Sequence, residues 1–301
     1  MRRCLLSLLA LSLLLAGCAA PAAPSGPTPY IETGVEPEAW AAIPAGPFVQ
    51  GQHDRPAALD YDYQVMVTLV TNAQYASYLN QALASGQVRL EGAKVTGPYP
   101  GDPYLGHRHE REIPAGHQPH LQANEAGQRL IWDGASWSVE PGYENHPATL
   151  ISWFGAQAYC QFVGGRLPSE AEWEKAARGA DNRPYPWGHD IAMANANFVS
   201  SHTLLQRLLG GQGGTTPVGF YNGRAYSGYE TLDSPSPYGL YDMAGNIWQW
   251  TGDVHEGAHY RTLRGGSYVD YAYNLRIWTR NNAGPEYASP SVGFRCARDA
   301  E

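Results

Sequence analysis

The stretch Ser236–Asp253 constrains the fold more strongly than any other part of this chain. It combines two glycines, two tryptophans spaced two residues apart, and two short side chains that carry oxygen: Gly239, Gly245, Trp248, Trp250, Asp242 and Asn246. Glycine permits backbone angles and close approaches that a Cβ would block, and an extended segment directs residues i and i+2 to one face. The pattern fits an aromatic corner of the core, and it also fits a loop that binds a hard cation such as Ca²⁺. Turns rich in Asn and Gly are far commoner than calcium loops, so the core corner is favoured.

The composition favours a loop-rich globular domain and argues against nucleic-acid binding. Aromatic residues make up 12% of the 301 residues and charged residues 16%, with 34 glycines and 23 prolines. This composition is typical of short strands, turns and aromatic packing rather than of disorder or coiled coil. The formal net charge is −8, and the sequence has no basic patch that could hold a phosphate backbone.

The N-terminus has the features of an export signal. A pair of arginines precedes the apolar run Leu5–Leu15, which is shorter than the roughly 20 residues that a membrane span needs. The run ends in Leu-Ala-Gly-Cys, which resembles a bacterial lipoprotein box and predicts lipidation of Cys18; an ordinary secretory signal cleaved nearby is the alternative. We therefore expect a lipoprotein signal peptide at 1–17, an Ala/Pro-rich tether at 18–36, and a lipid-anchored, extracytoplasmic location in the cell envelope.

Local patterns predict several helices and strands. The predicted elements are strands at 63–70 and 146–153, helices at 73–83 and 154–163, and a hairpin at 130–138. Thr71 or its neighbour can cap the first helix. Ser169 and Glu172 form a capping box that starts a further helix. Glu170, Glu172 and Glu174 are interpreted as helix-dipole and capping carboxylates in preference to catalytic groups.

A histidine-rich segment lies inside the least regular part of the chain, at about 85–144. Four histidines and two glutamates fall within fourteen residues: His107, His109, Glu110, Glu112, His117 and His120. Imidazole and carboxylate groups are ligands for Zn²⁺ and related metals. The spacing matches no standard closed site, and Pro114 and Pro119 would interrupt any helix, so a polar surface loop is favoured.

Four ordered motifs resemble the signature of the formylglycine-generating enzyme family, the sulfatase-modifying factors. They are the stretch Ser236–Asp253 and the segments Gly165–Gly179, Arg264–Tyr268 and Val292–Cys296. The resemblance covers roughly 43–298 and implies an α+β, C-type lectin-like fold that is loop-rich, with short strands and two or more helices. It also implies one domain at 37–301 with an insertion at about 85–144.

Cysteine usage points to one disulfide. Only Cys160 and Cys296 remain once Cys4 leaves with the signal peptide and Cys18 carries lipid, and two cysteines in an exported chain often pair. Members of the resembled family place one cysteine in a helix before the Arg-Leu-Pro motif and one in the closing Gly-Phe-Arg-Cys, so the resemblance supports this pairing. A free buried thiol pair is the alternative.

The resemblance also sets an expectation about copper. The family's enzymes bind Cu(I) through two cysteines between the Arg-Gly-Gly-Ser motif and the closing motif, because soft thiolates suit Cu(I). In this chain the segment Tyr268–Ser291 contains no cysteine, and the two positions fall near Ala272 and Ile277. We therefore expect no copper and no formylglycine-generating reaction.

The family's two calcium sites are partly retained. At the first, Asn197 and Phe198 match, but the acidic ligand falls in the run Gly210–Gly214. At the second, three positions match and a glutamine replaces the expected glutamate: Asp242, Gly245, Ile247 and Gln249. An amide oxygen can still ligate Ca²⁺, so Ca²⁺ is the candidate cofactor.

The C-terminal segment Tyr268–Ser291 is the candidate binding surface. It interleaves aromatic with short polar side chains: Tyr268, Asp270, Tyr271, Tyr273, Asn274, Trp278, Asn281, Asn282 and Tyr287. Aromatic contact area with adaptable hydrogen bonding is typical of paratopes, and the segment resembles the variable region of diversity-generating retroelement proteins. We expect a protein, glycan or peptide ligand at the cell surface. The alternative is that some of these aromatics, such as Trp278, are core residues.

A divergent oxidoreductase that modifies a peptide or small molecule without the copper–cysteine site is the alternative function. Its candidate residues are Asp270, Arg276, Arg280 and Glu286, with His255 and His259 nearby in sequence. No spacing among them singles out a base or a nucleophile. Buried arginine–carboxylate pairs that hold the lectin-like loops are the favoured interpretation.

Overall fold

The computed structural model describes residues 29–108, 110–201, 214–226, 229–255 and 259–300. The predicted signal peptide, Cys18 and most of the predicted tether lie outside these residues, as does His109. The described chain has three α-helices: α1 Asn72–Ala84, α2 Trp153–Phe162 and α3 Glu170–Arg178. Short strands, two 3₁₀ turns and loops make up the remainder of the described residues. The expected loop-rich α+β fold with at least two helices is confirmed. None of these three helices combines the length and apolarity needed to cross a bilayer.

The strands are short and distributed along the whole described chain. In chain order they are β1 Trp40–Ile43, β2 Gly46–Gln50, β3 Arg55–Leu59, β4 Tyr63–Met66, β5 Arg89–Glu91, β6 Lys94–Tyr99, β7 Gly116–Gln122, β8 Leu130–Trp132, β9 Trp137–Val139, β10 Ala225–Tyr226, β11 Tyr229–Glu230, β12 Trp248–His255, β13 Tyr260–Arg264, β14 Arg280–Ala283, β15 Val292–Gly293 and β16 Ala297–Asp299.

These strands form small sheets. The four-stranded sheet has the order β14–β13–β12–β15, in which β15 runs parallel to β12 and the other neighbours are antiparallel. A three-stranded sheet, β1–β4–β16, joins the start of the domain to its end. The region of the predicted insertion contributes the sheet β5–β6–β7 and the hairpin β8–β9, which confirms the hairpin predicted at 130–138.

The aromatic corner predicted from the stretch rich in glycine and tryptophan is confirmed. Trp248 and Trp250 on β12 are 6% and 0% exposed, and both belong to the main hydrophobic cluster. The indole N–H of Trp250 donates to the carbonyl of Ile151 at 3.1 Å. Gly245 has φ +81°, and a Cβ there would lie 2.6 Å from the carbonyl oxygen of Asn197, so only glycine fits this turn.

The predicted disulfide is also confirmed. Cys160 on α2 and Cys296 beside β16 are bonded, with their Cα atoms 5.4 Å apart and both side chains fully buried. The bridge spans 136 residues and therefore restricts the unfolded chain strongly. It holds the closing strand against the middle of the chain.

Both predicted helix caps are present. Thr71 Oγ1 accepts from the backbone N–H of Gln74 at 3.2 Å, and Gln74 Oε1 accepts from the N–H of Thr71 at 2.9 Å. Ser169 and Glu172 make the same reciprocal pair, at 3.2 and 2.7 Å. These bonds satisfy N–H groups that helix starts leave unpaired, and they involve residues only three apart.

One predicted strand is wrong in part, and another is wrong. The strand predicted at 63–70 ends at Met66. The segment 146–153 is not a strand, because Leu150 has φ +59°, which breaks the extended backbone. The backbone N–H of Leu150 donates to the carbonyl of Ser289 at 3.0 Å instead of to a sheet partner. The apolar residues of this segment are buried between loops rather than in a sheet.

The surface loop predicted for the histidine-rich segment is wrong for His120. This residue lies on β7 and is 2% exposed, and burial lowers the pKa of His120 to about 4, so its ring is neutral at pH 7. Pro119 fits the strand because β7 is an edge strand with a register shift opposite it. His107 is exposed as predicted. In the described part of the chain, no three His, Cys, Asp or Glu side chains converge on a metal position.

Candidate binding surface of the C-terminal loops

Three tyrosines of the segment Tyr268–Ser291 project into solvent. Tyr271, Tyr273 and Tyr287 expose 66%, 58% and 46% of their surface. Large apolar rings exposed together mark a possible contact site, whereas scattered single ones do not. Two of the three lie at one 3₁₀ turn, Ala272–Leu275 and its cap.

The other predicted binding residues are less prominent. Asn281 and Asn282 lie exposed on the edge strand β14, whereas Tyr268 and Asn274 are half-buried. Asp270 has a structural contact, because its Oδ2 accepts from the backbone N–H three residues earlier at 3.0 Å. It therefore closes the turn after the Arg-Gly-Gly-Ser motif.

A cleft of about 520 Å³ lies beside Trp278. Its wall consists of aromatic, charged and apolar side chains: Pro184, Tyr185, His189, Asp190, Ile191, Arg276 and Trp278. Of these residues, only Trp278 belongs to the binding set that the sequence predicts, and the segment 184–191 does not. The signal for that segment is its aromatic turn, in which Tyr185 stacks on Trp187 with ring centroids 5.7 Å apart. Rings with a few polar groups are suited to peptides or glycans.

Two arginines hold the ring of Trp278. The guanidinium of Arg178 lies 5.3 Å from the ring centroid and that of Arg276 lies 5.8 Å away. Arg276 also lies 4.8 Å from the ring of Tyr273, so one cation connects the cleft to an exposed tyrosine. Trp278 is half-buried, which makes it both a packing residue and part of the cleft wall.

Arg264 links α3 to the loop that carries Trp278. Its Nη2 lies 2.6 Å from Glu174 Oε2 and its Nη1 lies 2.9 Å from Glu170 Oε1. Nη2 also donates to the carbonyl of Ile277 at 2.7 Å. The side chains of Arg264 and Glu174 are 0% and 1% exposed. The helix-dipole interpretation still fits Glu170, which lies in the first turn of α3, whereas Glu174 lies beyond that turn and pairs with this buried guanidinium.

The comparisons with known proteins agree with this architecture. The family model described as sulfatase-modifying factor enzyme 1-like domain matches residues 31–300 of this chain. The chain belongs to this family. Formylglycine-generating enzyme of Mus musculus is 30% identical over 93% of this chain and 79% of the mouse protein. A Bos taurus relative named inactive C-alpha-formylglycine-generating enzyme 2 is 37% identical over 60% of this chain and 62% of its own length.

A solved structure supports the fold of this family member. PvdO from Pseudomonas aeruginosa superposes with a TM-score of 0.54, covering 91% of this chain and 99% of PvdO. At 21% identity the likeness concerns the fold alone.

In this family member, the two positions expected for copper ligands hold apolar side chains. Ile277 is fully buried in a cluster with Trp173 and Met243, and Ala272 is half-buried. Both described cysteines belong to the disulfide, so the described residues contain no thiolate.

The residues matched to the family's second calcium site contact other protein groups. Gln249 Oε1 accepts from Arg295 Nε at 2.7 Å and from the indole N–H of Trp173 at 3.0 Å. Its Nε2 donates to the carbonyl of Asp242 at 2.9 Å. Gly245 and Ile247 are buried beside them. The positively charged guanidinium of Arg295 would repel a Ca²⁺ ion at this position. Calcium at this site stays a prediction, and it requires Gln249 to exchange these partners.

The residues matched to the first calcium site lie next to the second. The carbonyl of Asn197 accepts from the N–H of Asn246 at 2.8 Å, and its side chain donates to the carbonyl of Gly214 at 2.9 Å. Phe198 is 3% exposed. The expected acidic ligand falls in the run Gly210–Gly214, of which only the last residue is described. This site also stays a prediction.

The six residues proposed for an oxidoreductase site have separate partners. Three of them contact groups outside the set: His259 with Glu110, Arg280 with Glu170, and Glu286 with Arg111. No ion pair joins any two of the six among the residues that the structure describes. The favoured interpretation was a buried arginine–carboxylate pair, and Arg280 does not fit it fully, because it pairs with Glu170 while 52% of its side chain stays exposed.

The buried ion pair gives a stability prediction. Glu174→Gln should lower the free energy of unfolding by about 3 kcal/mol, because Arg264 keeps its charge inside the protein with one carboxylate fewer. Urea denaturation at pH 7 measures this change.

Glu286→Gln is the matched control for this prediction. Glu286 pairs with Arg111 at the surface, where the two side chains are 38% and 61% exposed. Such pairs contribute roughly 0–1 kcal/mol. Equal losses in the two variants would show that the Arg264 pair has no special role.

Proposed function

We propose that this chain is a lipid-anchored, extracytoplasmic binding protein whose C-terminal loops hold a protein, glycan or peptide ligand at the cell surface. The proposal rests on the combination of Tyr271 and Tyr273, both well exposed, with the adjacent cleft beside Trp278. Rigid aromatic side chains supply contact area at low entropic cost, and a cleft supplies a concave pocket for part of the ligand.

Binding is proposed in preference to formylglycine formation because the required thiolates have no source in the described site. The segment Tyr268–Ser291 contains no cysteine, and Ile277, near which one copper ligand of the family is expected, is a buried aliphatic residue. The family name does not decide the activity, since it covers a mouse protein named as the enzyme and a bovine one named inactive. Copper is therefore not expected, and Ca²⁺ stays the candidate cofactor.

The ligand surface is tested by alanine substitution. The immobilised protein would capture its ligand from an envelope extract, and the affinity of the purified ligand would then be measured by calorimetry. We expect Tyr271→Ala and Trp278→Ala to weaken binding about tenfold or more, as truncation of aromatic contact residues does.

Tyr104→Ala and His107→Ala serve as controls for these substitutions. Tyr104 is 64% exposed, close to the 66% of Tyr271, but belongs to another loop. Both controls should keep affinity within about twofold, since surface changes outside the interface cost little. Equal effects in all four variants would reject the assignment of the surface.

The absence of copper chemistry is tested directly. Elemental analysis of the purified domain from Pro29 onward should show no stoichiometric copper, and a cysteine-containing sulfatase-type peptide with a reductant should cause no oxygen uptake. A copper-loaded formylglycine-generating enzyme is the positive control. Stoichiometric Cu, Fe or Zn, or uptake that depends on the peptide, would support the divergent oxidoreductase instead.

The lipid anchor is tested by Cys18→Ser in the full-length chain. A lipidated protein fractionates with membranes, so this variant should move to the soluble envelope fraction in immunoblots. Cys4→Ser, within the predicted signal peptide, should leave the distribution unchanged. A Cys18→Ser protein that stays in the membrane fraction would refute lipidation at this position.

A further inference from the structure

The guanidinium of Arg276 lies on the wall of the cleft beside Trp278 and has no hydrogen-bond acceptor among the described residues. Its central carbon lies 4.8 Å from the ring centroid of Tyr273 and 5.8 Å from that of Trp278, and these contacts restrict the position of the group. Each of its three nitrogen atoms stays accessible to solvent. The N–H groups can therefore be reached by a ligand in the cleft.

This lack of an acceptor sets Arg276 apart from comparable arginines. Every other arginine that is half-buried or buried in the described part of the chain bonds to an oxygen acceptor; Arg183 bonds to Asp181 and Arg298 to Gln64, for example. A guanidinium has only donors, and its strongest hydrogen bonds are those to anions. Arg276 is thus a cation that the protein positions but does not neutralise.

The other charges at the cleft favour an anion with a single charge. Asp190 lines the same cleft, but no ion pair joins its carboxylate to Arg276 in the described structure. A phosphate monoester carries nearly two negative charges at pH 7, so Asp190 repels it more strongly than it repels a carboxylate. The nearby guanidinium of Arg178 is already bonded to the carbonyls of Val49 and Gly51.

The aromatic rings at the cleft favour a peptide over a glycan. Sugar rings bind to the faces of aromatic side chains, but the guanidinium groups of Arg178 and Arg276 already lie against the ring of Trp278. The ring of Tyr185 is stacked on Trp187 in the same way. An acidic side chain or a chain end of a peptide needs no ring face, and the cleft of about 520 Å³ is large enough to hold either.

We propose that this cleft binds a carboxylate of a peptide, with Arg276 as its partner. The inference rests on the proposed function, because it names the chemistry of the ligand that the C-terminal loops hold. The planar guanidinium offers paired N–H donors that match the two oxygens of a carboxylate. Because the rings of Tyr273 and Trp278 already restrict this side chain, little of its conformational entropy is lost on binding.

The test measures the binding of synthetic peptides to the full chain by ligand-observed NMR. The first probe is Gly-Gly-Glu-Gly-Gly with both ends blocked, and its matched probe has Gln in place of Glu. We expect saturable binding of the glutamate peptide and binding about tenfold weaker of the glutamine peptide, which has no charge. A glycine pentapeptide with a free C-terminus shows whether a chain end supplies the carboxylate as well as a side chain does.

Substitutions in the cleft should act in opposite directions. Arg276→Gln should weaken binding of the glutamate peptide about tenfold, because the charge-assisted pair is lost. Arg276→Lys should restore part of the affinity, since an ammonium keeps the charge but not the paired donors. Asp190→Asn should tighten binding, because it removes a like charge from the cleft. Melting temperatures verify that the three variants are folded.

Arg89→Gln is the matched control for the loss of one positive charge. Arg89 is exposed on β5 and does not line the cleft. This variant should bind the glutamate peptide within about twofold of the wild type. Equal weakening in Arg276→Gln and Arg89→Gln, equal binding of the glutamate and glutamine peptides, or no saturable binding of any carboxylate peptide would overturn the proposal. Binding of sodium glucuronate that depends on Arg276, without binding of the peptides, would overturn it in favour of an acidic glycan.

The outcome is distinguishable from that of the proposed binding surface. A ligand captured from the envelope extract that loses affinity in Tyr271→Ala but not in Arg276→Gln would support the surface and refute carboxylate recognition. Peptide binding that depends on Arg276, together with an unchanged affinity of the captured ligand in Tyr271→Ala, would support carboxylate recognition in the cleft and reject the wider surface.

Discussion

The buried guanidinium of Arg264 is the interaction on which the C-terminal half of the domain depends. Arg264 lies on β13, but its partners are Glu170 and Glu174 of α3 and the carbonyl of Ile277. One side chain therefore joins a sheet, a helix and the loop before Trp278. Because a buried charge without partners is strongly destabilising, these three elements keep one relative arrangement in the folded state.

The C-terminal loops are fixed at their far end as well. The guanidinium of Arg295 donates to the carbonyls of Met66, Val67 and Tyr241, and the adjacent Cys296 is bonded to α2. The exposed tyrosines thus lie on loops between two rigid attachment points. Such a scaffold allows side chains on the loops to change without loss of the fold, which is how one fold can serve different functions.

The chemistry of the proposed C-terminal surface suits an extended ligand. The surface offers aromatic rings, an arginine and a carboxylate, a mixture that can contact a polymer such as a peptide or glycan.

The sequence by itself determined the features that depend on neighbouring residues or on residue counts: the N-caps at Thr71 and Ser169, the hairpin at 130–138, the aromatic corner and, with the family motifs, the fold and the disulfide. Capping bonds join residues three apart, so the local pattern is sufficient to predict them. Tertiary structure alone decided the burial of His120, the pairing of Glu174 with Arg264 and the cleft between Trp278 and the segment 184–191. These contacts join residues about ninety positions apart or bury a polar group under another element, and no local pattern encodes the path that brings such groups together.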